Sequence, residues 1–497
     1  MTRTFPHMLA VALLLAGCGG DNREGQVSVS VIGRETRLRD PAVATPRQAD
    51  AALLGATAQG LVRLNAEAQV EPGLAIRWAI SDDGLYYTFR LDRELADADR
   101  VARILRRLIR RHLAVDPTSG LDAVREIVAV TPEVIEMRLS APRTELLTIL
   151  AGPGFALLNR GQGSGPLLID GKVGRLTLLR AKPVAELADD ARAQALADRR
   201  IRLRGERAAL AVARFADGEA TLVAGGGYND FIYARVADIP PRSIQIDPAN
   251  GLFGFRVGRS SSPAMAPEIR QALSMALDRN ALGAALGAPG WRPAQAILPP
   301  GLTDLAEPSR PFWAQAFANV RGSDRQAFTI RIATARRIVG IWRSQQPQAD
   351  GPLRIEVAMP EGPGSTILFA AIMRQWRAIG IDAVQVRSTD AADLRLIDAV
   401  APADLADWYL SWFLCARGRP CSEEADKAFA IARSTTDPAL RARMIAEAEQ
   451  RLAAIAPFIP IAQPLRWSLA APDLPGFRLN ARAVHPLAPL IGNQNGR

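Results

Sequence analysis

The sequence predicts an α/β fold with mixed sheets. Apolar residues alternate over 353–359 as in a buried strand, an apolar helical pattern covers 367–379, and a second strand follows at 381–386. Such a βαβ unit requires two parallel strands joined by a right-handed crossover. The strands predicted at 128–130 and 134–139 are instead joined by a tight turn, which indicates antiparallel pairing. Parallel and antiparallel pairs together predict mixed sheets.

The chain begins with the pattern of an export signal. A positive start precedes an apolar run over 8–15 that is too short to span a membrane. The tetrapeptide Leu-Ala-Gly-Cys at 15–18 resembles the lipobox of bacterial lipoproteins, whose cysteine is lipidated and becomes the first mature residue. An ordinary signal peptide with a chance cysteine is the alternative. We expect removal of residues 1–17, a lipid on Cys18 and a tether over 18–26.

The first half of the body alternates short strands and helices. Valines alternate with other residues over 27–32, which predicts a strand with at least one buried face. The pattern turns helical over 51–61. Leu85, Tyr87, Phe89 and Leu91 then line one face of a strand that follows the Asp83-Gly84 turn.

A strongly basic helix follows this strand. Asp97 is a plausible N-cap, and apolar residues recur at helical spacing from Val101 to Leu113. The opposite face carries Arg100, Arg103, Arg106, Arg107, Arg110 and Arg111. We favour a solvated face, because arginine is a good helix former and the apolar stripe suits a core. A face that lies on an anionic membrane is the alternative.

The second half closes with a capped helix. Asp437 is its predicted cap, Pro438 occupies its first turn, and Pro457 ends it. We find no internal repeat, and no Pro/Gly-rich linker is long enough to separate independent domains. The lobes of the molecule are therefore expected to be interwoven.

Composition and charge limit the function classes. The chain has 497 residues, 48% of them hydrophobic, and a formal net charge of +10. This length and apolar content support about three domain-sized units with a large core, and they argue against disorder. The positive excess suits anionic lipids, anionic solutes or nucleic acid. The export signal argues against nucleic acid.

Two of the three cysteines predict a small disulfide loop. Cys415 and Cys421 are close in sequence, and an exported protein meets an oxidising compartment. A zinc site is the poorer interpretation, because no histidine lies near them and two thiolates do not complete a zinc shell. We expect neither a metal nor a cofactor.

The sequence is poor in catalytic groups. Only His7, His112 and His485 occur, and none has metal-ligand spacing. Neither a nucleophile elbow nor a phosphate loop is present. The glycine-rich stretch at 161–166 fails as a dinucleotide fingerprint, because Pro166 stands where its third glycine is needed. The triplet at 225–227 is interpreted as a flexible turn. We therefore expect no catalytic residue and no enzymatic activity.

Motifs in a shared order resemble those of one family, the extracellular solute-binding proteins of family 5. They cover nearly the whole mature chain and comprise Gly60-Leu61-Val62, the stretch 70–75 with Trp78, the strand 81–91, Gly163-Ser164-Gly165-Pro166, the helix 269–279, and the tail 448–460 with Leu474-Pro475-Gly476-Phe477. Family members deliver peptides, nickel or other solutes to ABC importers. The resemblance implies an α/β, two-lobe fold like that of periplasmic binding proteins, with mixed sheets and an extra small domain.

Three departures from the family pattern bear on the ligand. The segment near residue 95 is shortened, which suggests a trimmed small domain. Many members have an asparagine after the aromatic strand that crosses between the lobes, whereas Phe255 is followed by Arg256 here. Peptide-binding members have an aspartate shortly after the tryptophan that corresponds to Trp412, and it meets the peptide's amino group. Phe413, Leu414 and Cys415 stand there instead.

The resemblance and its departures together predict the site. We expect a solute to bind in the interlobe cleft, with Trp412 and Tyr409 as aromatic walls and Arg256 as a partner for an anion. Trp412 filling the core beside Cys415 is an equal alternative. The predicted domains are lobe 1 at 27–50, 160–250 and 466–497, a small accessory domain at 51–159, and lobe 2 at 251–465.

The expected partners follow from this prediction. They are a small solute or peptide-like ligand, an ABC permease, and the membrane through the N-terminal lipid, with no nucleic acid. We expect a periplasmic monomer anchored to the outer membrane, because glycine follows Cys18. A lipoprotein scaffold of the same fold that binds a protein partner is the alternative, and an enzyme such as a peptidase ranks third.

Overall fold

The chain folds into two α/β lobes, each built on its own mixed sheet, with a smaller antiparallel sheet beside them. The computed structural model describes residues 26–116, 119–182, 199–305, 307–309, 313–314, 324–346 and 351–492. The predicted signal peptide and Cys18 lie outside these ranges. Within the described residues, no helix is both long and apolar enough to cross a bilayer.

The strands are short and are numbered along the chain. They are β1 (Gln26–Ile32), β2 (Val62–Leu64), β3 (Val70–Pro72), β4 (Ala75–Ile80), β5 (Tyr86–Leu91), β6 (Val124–Thr131), β7 (Val134–Leu139), β8 (Leu167–Val173), β9 (Leu176–Ala181), β10 (Arg200–Glu206), β11 (Leu222–Gly227), β12 (Ile244–Ile246), β13 (Gly251–Val257), β14 (Leu353–Met359), β15 (Ile381–Arg387), β16 (Leu394–Val400), β17 (Phe458–Ala462) and β18 (Arg466–Ala470).

The helices of the described residues are numbered in the same way. They are α1 (Gln48–Thr57), α2 (Ala98–Val115), α3 (Leu146–Leu150), α4 (Ala208–Ala216), α5 (Phe231–Val236), α6 (Pro267–Met275), α7 (Arg279–Leu286), α8 (Asp324–Ser344), α9 (Pro363–Arg377), α10 (Ala406–Ser411), α11 (Glu423–Ser434) and α12 (Pro438–Ile455).

Lobe 1 is built on a seven-stranded sheet in the order β12-β18-β11-β1-β10-β9-β8. β1 pairs in parallel with β10 and β11, whereas the other pairs are antiparallel. The central position of β1 explains why both of its faces are buried from Ser28 to Ile32, although one face carries Ser28 and Ser30. The strand predicted at 27–32, with at least one buried face, is therefore confirmed.

Lobe 2 is built on a five-stranded sheet in the order β15-β14-β16-β13-β17. β14, α9 and β15 form the predicted βαβ unit with a parallel strand pair. Trp376 of α9 is fully buried, and its indole nitrogen donates to the carbonyl of Leu273 at 3.0 Å. The mixed α/β prediction is confirmed.

The accessory domain is a four-stranded antiparallel sheet, β4-β5-β7-β6, covered by α2. Asp97 caps α2 by accepting a hydrogen bond from the amide of Arg100 at 3.0 Å, as predicted. The helix buries Val101, Leu105 and Leu108 against the sheet. Its arginine face is left outside.

Two crossings connect the lobes. The chain passes from β12 in the sheet of lobe 1 to β13 in the sheet of lobe 2, and returns from β17 to β18. One hydrophobic cluster contains residues of both lobes, including Val223 and Phe231 on one side and Phe253 and Ile355 on the other. The lobes are therefore interwoven as expected. The exact domain boundaries given above stay a prediction.

Hydrogen bonds also join the two lobes, beside the crossing strand β13, where the rings of Tyr228 and Phe253 are 4.9 Å apart. The residues between β11 and α5 meet the first turn of α9: the hydroxyls of Tyr228 and Ser365 are 2.8 Å apart, and the amide of Ser365 donates to the side-chain oxygen of Asn229 at 2.8 Å. Gly364 lies so close that a Cβ atom there would be 2.3 Å from the carbonyl oxygen of Tyr228. The contact thus requires glycine.

Candidate functional site

Tyr409 lies inside lobe 2. It belongs to α10 and packs among apolar residues that include Leu252, Ile397 and Phe458, with no exposed side-chain surface. The ring of Trp408 meets its ring edge-on, with centroids 5.0 Å apart. Tyr409 thus has no ring face free for a solute in this structure, and its role as a wall of the site stays a prediction.

Trp412 is half-buried at the end of α10. Its ring is 5.8 Å from that of Trp408, and the guanidinium of Arg417 lies 5.4 Å from its centroid. Arg417 also forms an ion pair with Asp116, the residue that ends α2 of the accessory domain. Trp412 therefore lies where lobe 2 meets the accessory domain, with one ring face occupied by a cation.

Arg256 is the most unusual of the three predicted residues. It lies on β13 directly opposite Arg395 of β16, so two cations face each other across the strand pair. Among the residues that the structure describes, its side chain has no hydrogen-bond or ion-pair partner. Burial first, and then the positive charges of Arg395 and Arg417, lower the pKa of Arg256. The surroundings of this guanidinium thus favour a negative charge.

The carboxylates near Trp412 are already engaged. Asp407 accepts two hydrogen bonds from Arg433, at 2.7 and 2.6 Å. Asp426 accepts one from the amide of Cys415 at 3.0 Å, and Asp116 pairs with Arg417. An ammonium group placed here would therefore have to share a carboxylate with one of these partners.

A short disulfide loop positions Arg417. Cys415 and Cys421 are joined by a disulfide in the structure. The loop between them contains Gly418, which has a φ of 109° that favours glycine, and a turn at Pro420. The covalent closure holds Arg417 between Trp412 and Asp116.

A buried charge cluster lies beside this loop, at the boundary of the accessory domain and lobe 2. Arg143 donates to the carbonyl of Arg433 at 3.4 Å, and Glu145 lies within the fields of Arg143, Arg433 and Asp407. Burial first, and then the charge of Asp407, raises the pKa of Glu145 to about 7. Sequence reasoning missed this cluster, because its members lie far apart along the chain.

A cavity of about 560 Å³ lies elsewhere, against lobe 1. It is bounded by α1, by residues 59–71 and 151–156, and by the C-terminal segment 476–489. Neither Trp412, Tyr409 nor Arg256 lines it. Many of its walls are alanine or glycine, so small side chains leave the space open. The run Ala51, Ala52 and Gly55 on one helix was the signal available in the sequence.

Polar and charged side chains interrupt these small walls. They belong to Gln48, Gln59, Arg63, Asn65, Glu67, Glu71, Arg478 and His485. The Nε2 atom of His485 is 3.1 Å from a carboxylate oxygen of Asp247, and its ring is 4.8 Å from that of Phe477. Within the described ranges, no cluster of three or more metal-ligating side chains is present.

Two mixed-sheet lobes joined by two strand crossings, with a cavity and a cationic region beside an accessory domain, define a two-lobe binding protein. The chain belongs to the bacterial extracellular solute-binding proteins, family 5, whose model (Bacterial extracellular solute-binding proteins, family 5 Middle) matches residues 69–413. The expected family is thereby confirmed. No curated protein sequence matches the chain.

Solved structures share this fold at low sequence identity. The Escherichia coli murein tripeptide binding protein MppA is 17% identical with a TM-score of 0.73, over 93% of this chain and 97% of that one. Haemophilus influenzae OppA, complexed with RPPGFSPFR, is 16% identical with a TM-score of 0.74, over 94% and 98%. Brucella suis NikA, complexed with Fe(III)-EDTA, is 16% identical with a TM-score of 0.66, over 90% and 96%. At such identities the likeness establishes the two-lobe fold alone.

Proposed function

We propose that the protein is the lipid-anchored solute-binding component of an ABC importer, and that it binds an anionic or neutral solute with Arg256. Membership of family 5 supports solute capture. The observation that carries the ligand class is the partly buried Arg256, which faces Arg395 without a hydrogen-bond or ion-pair partner in the described part of the chain. An anionic group of the solute completes this site, and charge-assisted hydrogen bonds to a guanidinium are among the stronger ones.

The same surroundings disfavour a free ammonium group. A desolvated ammonium needs a carboxylate partner, and without one the cost reaches several kcal/mol. Asp407, Asp426 and Asp116 are all engaged elsewhere. Each 1.4 kcal/mol is about tenfold in affinity. Free di- and tripeptides are therefore expected to bind weakly or not at all.

The remaining parts of the proposal concern placement in the cell. Cys18 carries a lipid, the mature chain is a periplasmic monomer at the outer membrane, and the solute is released to a permease after the hinge opens. The protein carries out no catalysis and needs no cofactor. A mature N-terminus other than Cys18 would contradict the anchor, and fractionation to the inner membrane would contradict the choice of membrane alone.

Native mass spectrometry of protein purified from its own periplasm identifies the solute. Calorimetry with that solute then tests Arg256→Ala, which we expect to weaken binding by roughly ten- to a hundredfold, as for loss of a hydrogen bond to a charged group. Arg354→Ala is the matched control, because Arg354 is exposed on β14 of the same lobe. Equal affinity of both variants would remove Arg256 from the site.

The cavity beside lobe 1 is a second location for the same function. Its 560 Å³ falls in the usual range for small-molecule pockets. A Cβ atom at Gly55 would meet nothing within 4 Å, so Gly55→Phe places a ring towards open space without a backbone clash. If this variant loses binding while Arg256→Ala does not, the solute occupies the cavity.

The scaffold alternative is favoured by the direct contact between the lobes. The hydrogen bonds that Tyr228 and Asn229 form with the first turn of α9 hold the lobes together directly. A scaffold retains no solute in the mass spectrum and binds none from a panel of anionic and neutral compounds. That result, with intact folding, would replace transport by partner binding.

A further inference from the structure

The exposed face of α2 is a dense row of arginines. The helix spans 18 residues, roughly 27 Å at 1.5 Å per residue, and contains a single acidic residue, Asp99. Five of its arginines are exposed and, with Ile104, line a groove of about 390 Å³; these are Arg100, Arg103, Arg106, Arg107 and Arg110. This face is the arginine row.

Local contacts satisfy only part of the arginine row. Arg107 forms an ion pair with Asp40 at 2.9 Å, and Arg106 donates to the carbonyl of Ile127. Arg103 reaches only a backbone oxygen, that of Asp99, at 3.3 Å. The side chains of Arg100 and Arg110 have no hydrogen-bond or ion-pair partner within the described ranges. Only one of the five positive charges of the arginine row, that of Arg107, is therefore paired with an acidic side chain of the described residues.

Apart from the contacts of Arg106 and Arg107, the fold does not need this concentration of charge. The helix is held by its opposite side, where Val101, Leu105 and Leu108 are buried against the accessory sheet. Like charges three and four residues apart destabilise a helix by a few tenths of a kcal/mol per pair. A row of this kind therefore indicates an extended anionic partner.

The shape of the row and the tether favour one such partner. The cations follow a nearly straight helix instead of enclosing a pocket, which suits a flat array of negative groups. The chain from the proposed lipid at Cys18 to Gln26 spans at most about 28 Å when fully extended. A bilayer surface would therefore always lie within reach of the folded body.

We propose that the arginine row of α2 binds a bilayer surface rich in anionic phospholipid. The apolar side of the helix is occupied by the core, so the association is electrostatic and does not insert the helix. It must therefore weaken steeply with salt, because exposed charges are screened within about 10 Å at 0.1 M salt. The contact would orient the tethered protein so that its accessory domain faces the membrane.

Vesicle sedimentation tests this inference without the lipid anchor. The protein used is the chain from Gly19 onward, secreted behind a cleavable signal. It is mixed with vesicles of phosphatidylcholine alone, or with vesicles that also contain about 30% phosphatidylglycerol, which gives them a strongly negative surface. We expect binding to the anionic vesicles only, and loss of that binding at 0.5 M salt, where the screening length falls to roughly 4 Å.

Two triple variants separate the arginine row from the overall charge. Arg100→Gln, Arg103→Gln and Arg110→Gln together should weaken binding at least about tenfold. The control combines Arg337→Gln, Arg354→Gln and Arg443→Gln, three exposed arginines of lobe 2 whose removal changes the net charge equally. The control is expected to bind like the unaltered chain.

Three results would overturn the inference. They are equal loss in both triple variants, equal binding to neutral vesicles, and no binding to anionic vesicles at low salt. The last result, combined with recognition of inorganic phosphate or of an acidic protein by the same arginines, would assign the row to that ligand. The test is independent of the proposed anchor, which depends on the mature N-terminus alone.

Discussion

Glu145 is a carboxyl group whose ionisation opposes folding. It is buried, its burial outweighs the attraction of Arg143 and Arg433, and its pKa is raised from 4.5 to about 7. The folded protein therefore binds more protons at this group than the unfolded chain does between about pH 4.5 and 7. Because stability falls with pH wherever the folded state holds the extra proton, Glu145 costs stability as the pH rises through this window.

Glu145→Gln should remove this cost. We expect the variant to be more stable than the unaltered protein at pH 8, by at most about 3 kcal/mol given ~1.4 kcal/mol per pKa unit, and nearly equal to it at pH 4.5. Urea unfolding at both pH values measures the difference. Glu449, whose pKa is also raised to about 7, titrates in both proteins and cancels in the comparison.

Glu94→Gln is the control for this measurement, because Glu94 is exposed. It should leave the pH dependence of stability unchanged. If the free energy of unfolding changed with pH between 4.5 and 8 in the same way for Glu145→Gln and for the unaltered protein, the carboxyl of Glu145 would not be the group that titrates.

Single residues were predictable where their role is local. The cap at Asp97 was found because it depends on the residues that directly follow it. Arg256 was singled out, but its position opposite Arg395 was not, since the register of β13 and β16 joins distant parts of the chain. The complete burial of Tyr409 was missed for the same reason.

At the scale of elements, the loop from Cys415 to Cys421 links three parts of the molecule. It connects α10 to α11 and carries Arg417 to Asp116 at the end of α2. A chain closed over so few residues still loses conformational freedom in the unfolded state. The disulfide should therefore stabilise both the loop and the contact with the accessory domain.

Replacing both cysteines, Cys415→Ser with Cys421→Ser, should lower the free energy of unfolding by about 2 kcal/mol, as loop-closure entropy gives for a loop of this length. Urea denaturation measures the loss, and reduction of the unaltered protein should reproduce it. Labelling of both sulfurs by a thiol reagent in the native, unreduced protein would show that the bond is absent.

Whole elements were predicted best where their pattern is long and local. The βαβ unit of β14, α9 and β15 and the helix α12 were recognised from apolar spacing, and Asp437 caps α12 as expected. The helix predicted at 51–61 begins and ends earlier, at Gln48 and Thr57, because local spacing defines boundaries poorly. The small residues of that helix could not be recognised from the sequence as cavity walls, because the C-terminal segment that forms the opposite wall lies far along the chain.

At the scale of the molecule, the contact between the lobes depends on Gly364. A Cβ atom there would lie 2.3 Å from the carbonyl oxygen of Tyr228, which belongs to the backbone and cannot rotate away. Gly364→Ala should therefore separate the lobes at this point. We expect a loss of roughly 1–3 kcal/mol, as for other overpacked sites, and a larger radius of gyration by small-angle scattering.

Gly340→Ala is the matched control. Gly340 lies in α8, where an added Cβ atom meets nothing within 4 Å, so the change should be neutral or slightly stabilising. An unchanged radius of gyration together with unchanged stability in Gly364→Ala would mean that the two lobes do not rest on each other in solution.

The two-lobe architecture was predictable through family resemblance and not through residue patterns. Apolar alternation identified several strands, but the order β12-β18-β11-β1 brings together strands from both ends of the chain. No local pattern encodes such pairing, because it depends on the total burial that the finished sheet achieves.

That strand order also determines when lobe 1 can complete its folding. β18, near the end of the chain, lies between β11 and β12, and β12 has no other partner in its sheet. During synthesis, lobe 1 therefore remains an unfinished sheet with unpaired edges until residues 466–470 have been made. A chain threaded through a translocation channel must stay unfolded on the way, and this topology delays the closing step until β18 has also passed through the channel.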